Sequence, residues 1–177
     1  MRRLILLRHA KTERDAPSGK DRDRRLDERG HDDGAEIGRW LAAENYRPDL
    51  ALVSTATRAQ ETWELVRAAM PTVSARHLPE LYSADPSELL RAVHSTAKAD
   101  PKCLMIIAHN PGLHELALAL IAGGDAAGRR ALDANLPTSG VVVIDFKIDD
   151  WDDIGFRGGQ LERFASPKLL REASGGA

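Results

Sequence analysis

Leu4-Ile5-Leu6-Leu7, followed at once by Arg8-His9, decides how the rest of the chain is read. Four consecutive β-compatible apolar residues predict a short strand buried on both faces, as in a parallel sheet. Similar runs recur at residues 50–53, 104–108 and 141–146, with a weaker one at 73–78 and a last, edge-like one at 160–165. Helical patterns fill the gaps. Ile37, Trp40 and Leu41 sit at helical spacing within 32–44, and Trp63, Val66 and Met70 do the same within 57–70. Residues 87–97 follow Pro86, a favourable opening residue for a helix, and 112–122 and 126–134 complete the set. Strands alternating with helices of this length predict an α/β domain with a mainly parallel sheet of about six strands. The domain is expected to span 1–170, with 171–177 a disordered tail.

Composition narrows the class of function. The 177 residues are 42% hydrophobic and 29% charged, enough apolar material for a real core and too little charge imbalance for disorder. A net charge of −2 gives no general attraction to nucleic acid or to an anionic membrane. The stretch 8–33 looks basic, yet it holds eight Lys/Arg and eight Asp/Glu. It is expected to be a solvated, mobile loop beside the site rather than a track for a phosphate backbone. The apolar run at 4–7 is too short for a secretory signal, and no stretch approaches a membrane span. The single cysteine, Cys103, lies in an apolar run and reads as a structural thiol in a reducing compartment. A cytoplasmic protein is expected.

The chemistry is expected beyond the carboxyl ends of the strands, where ligands bind in open α/β sheets. Arg8-His9 ends the first strand. Burying both unpaired in a strand interior would be costly, whereas at the strand's mouth they face a cleft. A guanidinium offers paired donors for phosphate oxygens, and a neighbouring imidazole can attack phosphorus. Arg58 lies near the start of the second helix, within Ser54-Thr55-Ala56-Thr57-Arg58. A cation is disfavoured at that end of a helix dipole unless an anion is close. His109-Asn110-Pro111-Gly112 follows another strand and leaves a second imidazole at the rim. Each residue taken alone also fits a structural role.

Taken together, these residues resemble the histidine phosphatase superfamily, also called phosphoglycerate mutase-like. Its opening Arg-His-Gly/Ala is matched by Arg8-His9-Ala10, its Ser-x-x-x-Arg-Ala-x-x-Thr by Ser54, Arg58, Ala59 and Thr62, and its later histidine by His109. The stretch Arg24-Arg25-Leu26-Asp27-Glu28-Arg29-Gly30 is similar to the Arg-x-Leu-x-x-x-Gly of the small phosphohistidine phosphatase (SixA) branch, with a slight departure at Arg24-Arg25-Leu26, near where that branch usually has a proline. The resemblance implies a three-layer α/β/α sandwich around a mixed sheet. It implies His9 as a nucleophile passing through a phosphohistidine, with Arg8, Arg58 and His109 holding the phosphoryl oxygens. It implies no metal and no cofactor. Many members place a carboxylate general acid after the second arginine element. Glu80 occupies a comparable position, and an ordinary exposed glutamate accounts for it equally well.

Other signals lead elsewhere. His114-Glu115 begins like a zincin helix, but residue 118 is Leu, so a metal site is not expected. The run Gly123-Gly124-Asp125 to Arg130 mimics a phosphate loop without its Lys-Ser/Thr and reads as a connection after a helix. Only 51 positions separate Arg58 from His109, leaving little room for an inserted lid. An open site suits a phosphorylated protein partner of the phosphorelay or phosphotransfer type. The alternatives are a phosphatase or mutase for a small phosphate ester, with Glu80, Thr138 and Ser139 as candidates for the general acid and for gripping the substrate, and a phosphate-binding module without catalysis.

Overall fold

Alternate residues of the central strands enter two different cores, which is why those strands read as unbroken apolar runs. Leu4 and Leu6 face one core while Ile5 and Leu7 face the other. The same alternation holds for Leu104 and Ile106 against Met105 and Ile107, and for Val142 and Ile144 against Val141 and Val143. The computed structural model describes residues 1–175. Its strands are β1 (Arg2–Arg8), β2 (Leu50–Ser54), β3 (Ser74–Leu78), β4 (Cys103–Ala108), β5 (Ile121–Gly124), β6 (Val141–Phe146) and β7 (Gly159–Ala165). They form one sheet in the order β3-β2-β4-β1-β6-β7-β5. The pairs from β3 through β1 are parallel, β6 is antiparallel to both β1 and β7, and β5 is parallel to β7.

Helices α1 (Glu28–Ala43) and α2 (Thr57–Ala69) cover one face. Helices α3 (Pro86–His94), α4 (Gly112–Leu120) and α5 (Ala126–Ala134) cover the other, giving the three-layer α/β/α arrangement. α1 and α2 pack closely because Gly38 has no side chain: a Cβ there would lie 3.0 Å from the Val66 Cα. No helix among the described residues is long and apolar enough to cross a membrane.

Several boundaries differ from the sequence reading, each for a local reason. α1 begins at Glu28, because the Asp27 carboxylate accepts from the Gly30 N–H and caps a polar first turn that carries no apolar periodicity. β5 ends the segment predicted as helix to residue 122. Its glycines have little β-propensity, so pairing with β7 makes the strand. β7 is therefore an inner strand rather than an edge. The run 123–130 now follows a strand, but Asp125 caps α5 with its own carboxylate. The segment expected to be a tail from 171 belongs to a sixth helix, α6 (Pro167–Gly175). Ser166 and Pro167 open it, and Arg171 pairs with the buried Asp33 at 3.0 Å. Residues 176 and 177 of that expected tail lie outside the described residues.

The charged stretch after β1 is tied down rather than loose. Glu13 N–H donates to Arg25 O, Asp27 N–H to Lys11 O, and Leu26 N–H to the Glu61 carboxylate. Gly30 allows this closure, since a Cβ there would meet the Lys11 carbonyl at 2.0 Å. A short 3-10 turn at Asp21–Asp23 is thereby brought over α2.

Candidate active site

The strand order brings the site together. β4 lies between β1 and β2, all three are parallel, and Arg8 is in register with Ala108. The next residues, His9 and His109, must therefore be neighbours across adjacent strands, and their ring centroids are 5.2 Å apart. Ser54 ends β2 on the far side of β4, and its hydroxyl lies 2.7 Å from His109 Nε2. Arg58 is the second residue of the helix that follows β2.

His9 is 6% exposed. Its Nδ1 lies 2.8 Å from the Ala10 carbonyl, which can only accept, so Nδ1 carries the proton and Nε2 keeps its lone pair. Burial, reinforced by His109, Arg58 and Arg8, pushes the His9 pKa down to about 3, so the ring is neutral at pH 7. His109 is pushed to about 4, chiefly by burial and then by Arg58. Thr62, one helical turn beyond Arg58, joins two motifs: its hydroxyl accepts from Ala10 N–H and donates to Arg58 O.

The α5–β6 loop braces this group from behind. Leu136 O accepts from Arg8 Nη1 at 3.1 Å and from Asn110 Nδ2 at 2.9 Å, and Ser139 N–H points at the carbonyls of Arg8 and His9. Burial and the nearby Arg58 lower the Arg8 pKa below the ordinary arginine value, the mark of a cation short of anionic company. Arg8 Nε, Arg58 Nε and His109 Nδ1 are buried without a hydrogen-bond partner among the described residues, as is Ser139 Oγ. Three unmet nitrogen positions on residues clustered around one neutral imidazole suit a tetrahedral anion.

Two further residues reach the cluster that sequence reasoning left out. Asp21 is the anion near the start of α2: its carbonyl and carboxylate accept from Arg58 at 2.8 and 3.0 Å. Tyr82 donates to the same carboxylate at 2.7 Å, and that bond, with the help of Arg58, holds the Asp21 carboxyl below the usual range. The Tyr82 ring stands edge-on to His109 at 5.7 Å and lies against the guanidiniums of Arg22 and Arg58. Nothing in the charge count of residues 8–33 singles out Asp21, because its selection depends on a contact 37 residues away.

Arg8, His9, Arg58 and His109 are thus brought together, and Glu80 is not. Glu80 lies in an exposed 3-10 turn (Pro79–Leu81) and makes no hydrogen bond or ion pair among the described residues. A cleft of about 330 Å³ opens beside Arg58 and His109, and its carboxylates are Asp21, Asp85 and Glu115.

Comparison with known proteins agrees with this geometry. An uncharacterised protein of Mycobacterium tuberculosis is 34% identical over 141 residues, covering 78% of this chain and 85% of its own length. A structure from Agrobacterium tumefaciens, provisionally assigned as the phosphohistidine phosphatase SixA, is 31% identical with a TM-score of 0.79, covering 94% of this chain and 98% of its own. The protein histidine phosphatase SixA complexed with tungstate matches with a TM-score of 0.76 at 23% identity, covering 95% of this chain and 99% of its own. A mycobacterial glucosyl-3-phosphoglycerate phosphatase matches with a TM-score of 0.65 at 16% identity, covering 93% and 97%. The last two likenesses carry the fold alone. The family model for the histidine phosphatase superfamily (branch 1) matches residues 4–85, the segment that supplies Arg8, His9 and Arg58. With that match and the extended likeness to the Agrobacterium structure, the chain belongs to the histidine phosphatase superfamily.

Proposed function

We propose that this phosphatase-type hydrolase removes phosphoryl groups from phosphohistidine on a protein partner, without a metal, through a phosphohistidine formed on His9. The observation that carries the reading is a neutral imidazole with its Nε2 lone pair free, beside two guanidiniums whose Nε–H groups find no acceptor among the described residues. In the first step Nε2 of His9 attacks phosphorus and the substrate P–N bond breaks. The leaving imidazole takes its proton from solvent, which a group of that basicity does near neutral pH. In the second step water attacks phospho-His9, releasing inorganic phosphate and restoring the free imidazole. Arg8, Arg58 and His109 neutralise and orient the transferring oxygens, and positioning with charge stabilisation is most of what phosphoryl transfer requires.

Protein-borne substrate is supported by the absence of a lid among the described residues. Between α2 and β4 the chain holds only β3, one 3-10 turn and α3, so the mouth is bordered by short elements. A leaving imidazole also asks little of a general acid, consistent with an exposed Glu80 that makes no hydrogen bond or ion pair among the described residues. Reaction on a small phosphate ester is the second reading, favoured by the polar cleft where Asp85, Asn110 and Glu115 could hold the remainder of such a molecule.

Rapid-quench labelling with a phosphorylated histidine-phosphotransfer protein tests the proposal. The wild type should form an acid-labile phosphoenzyme and release phosphate, and His9→Ala should do neither, losing at least about 10⁴-fold in turnover. Activity surviving in His9→Ala would remove the nucleophile assignment. Brisk hydrolysis of small esters with no reaction on phosphohistidine would move the substrate to the second reading.

A further inference from the structure

We infer that Ser54 is a positioning residue that locks His109 as the Nδ1–H tautomer, making it a neutral hydrogen-bond donor to the transferring phosphoryl group. The inference rests on the phosphatase reading for its purpose, and on hydrogen-bond accounting for its content. Ser54 is fully buried at the end of β2. Its Oγ accepts from the Ala56 N–H at 3.3 Å and lies 2.7 Å from His109 Nε2. A hydroxyl has one proton to give, and among the described residues Nε2 is its only acceptor.

The two tautomers of His109 then differ in what they leave unpaired. If Nε2 carried the proton it would donate to Ser54 Oγ. The serine hydrogen would be stranded in a side chain closed to solvent, and the Nδ1 lone pair would be stranded as well, since Nδ1 is buried without a partner among the described residues. If Ser54 donates to Nε2, the serine hydrogen and the Nε2 lone pair satisfy each other, and a single group remains: the Nδ1–H. Leaving one buried polar group unmet instead of two decides the tautomer. The remaining donor belongs to a ring 5.2 Å from that of His9, where an oxygen of the attacked phosphoryl group supplies the missing acceptor.

The arrangement also gives Ser54, first residue of the Ser-x-x-x-Arg-Ala-x-x-Thr match, a duty of its own. Arg58 supplies charge, Thr62 ties Ala10 to Arg58, and Ser54 sets the polarity of the second histidine. The two histidines become a matched pair of the same tautomer with opposite uses. His9 buries its Nδ1–H on Ala10 O and attacks with Nε2, whereas His109 buries its Nε2 on Ser54 and donates through Nδ1.

Long-range proton–nitrogen NMR on ¹⁵N-histidine-labelled full-length protein at pH 7 reads the tautomer directly, with the His109 signals assigned by their loss in His109→Asn. Nε2 should resonate as an unprotonated, hydrogen-bonded nitrogen and Nδ1 as a protonated one, and tungstate should move Nδ1 while leaving the Nε2 type unchanged. A protonated Nε2 in the tungstate-free wild type would overturn the inference whatever the enzyme's activity. In Ser54→Ala the Nε2 signal should shift toward the protonated form. kcat should fall by about tenfold or more, up to the ~10²–10³ of a lost oxyanion donor, with KM little changed. A Ser54→Ala protein that is merely less stable, with the wild-type tautomer and kcat, would also overturn it. An inert wild type showing the stated tautomer would instead count against the phosphatase reading.

Discussion

The two halves of the sheet divide the labour. In β3-β2-β4-β1 all strands run the same way, so their carboxyl ends open on one rim and deliver Ser54, His109, Arg8 and His9 side by side. In β6-β7 the strands run antiparallel, and no residue of the pair enters the catalytic cluster. What that half supplies is the loop before β6, which holds Arg8 and Asn110 through Leu136 O and meets the Arg8-His9 backbone through Ser139. Parallel pairing concentrates chemistry at one end of a sheet, and antiparallel pairing here contributes a brace.

If that division holds, substitutions in the two halves should move different observables. The largest stability effect belongs to the antiparallel half. Phe146→Ala in β6, a position 1% exposed and registered with Arg2 at the far end of β1, should cost about 3–5 kcal/mol by denaturant unfolding. Its kcat per folded molecule should remain at the wild-type level. A large drop in kcat would show that the halves are coupled.

Arg58→Ala should do the reverse. Losing one of two phosphoryl clamps should lower kcat/KM by about 10²–10³-fold. The unfolding midpoint should change far less than for Phe146→Ala, because the partner freed is the half-exposed Asp21 carboxylate, which water can solvate. A variant that unfolds readily while retaining activity would sink the clamp assignment.

The third effect is in pH. His9 and His109 are held neutral down to about 3 and about 4, below the ordinary 6.5. An unfolded chain takes up those protons first, so stability is complete above about pH 6.5 and is lost as pH falls toward 4. At pH 5 the loss is about 2 kcal/mol per histidine. Unfolding curves from pH 7.5 to 4.5 should show it, and His109→Asn should flatten the slope. An unchanged slope would mean that His109 does not carry the depressed value. The smallest effect is assigned to Glu80→Gln, which should leave kcat on a phosphohistidine substrate within about twofold, since a leaving imidazole can take its proton from solvent near neutral pH. A tenfold loss would restore Glu80 as the proton donor.

The comparison also shows where sequence reading ran short. Elements with strong periodicity or runs of apolar residues were legible: β1, β2, β4, β6 and α2 to α5 begin at or within a residue or two of where the sequence puts them. β5 was not, because Ile-Ala-Gly-Gly carries no strand signature and exists by pairing with β7. α6 was missed although Ser166-Pro167 announces it, because its polar face resembles a tail until Arg171 meets Asp33. Arg8, His9 and His109 were readable because each sits where an apolar run stops at a charged or imidazole side chain, and Arg58 because a cation near a helix start just after a strand calls for an anion. Tyr82 was passed over for its neighbour Glu80, since only the fold brings Tyr82 onto the Asp21 carboxylate and the His109 ring.

By itself, then, the sequence determined the α/β class through its apolar runs and helical spacings, and it singled out Arg8, His9, Arg58 and His109 as candidates through their strand-end or helix-start placement together with the motif resemblance. Tertiary structure alone decided the rest. It chose Asp21 from eight acidic residues of one stretch to sit on Arg58. It aimed the Ala10 carbonyl and the Ser54 hydroxyl at the two imidazoles, and through them decided which nitrogen of each ring holds the proton. The physical reason is that a tautomer or an ion pair is set by angstrom-scale contacts between segments far apart in the chain, and no spacing along the chain encodes those distances.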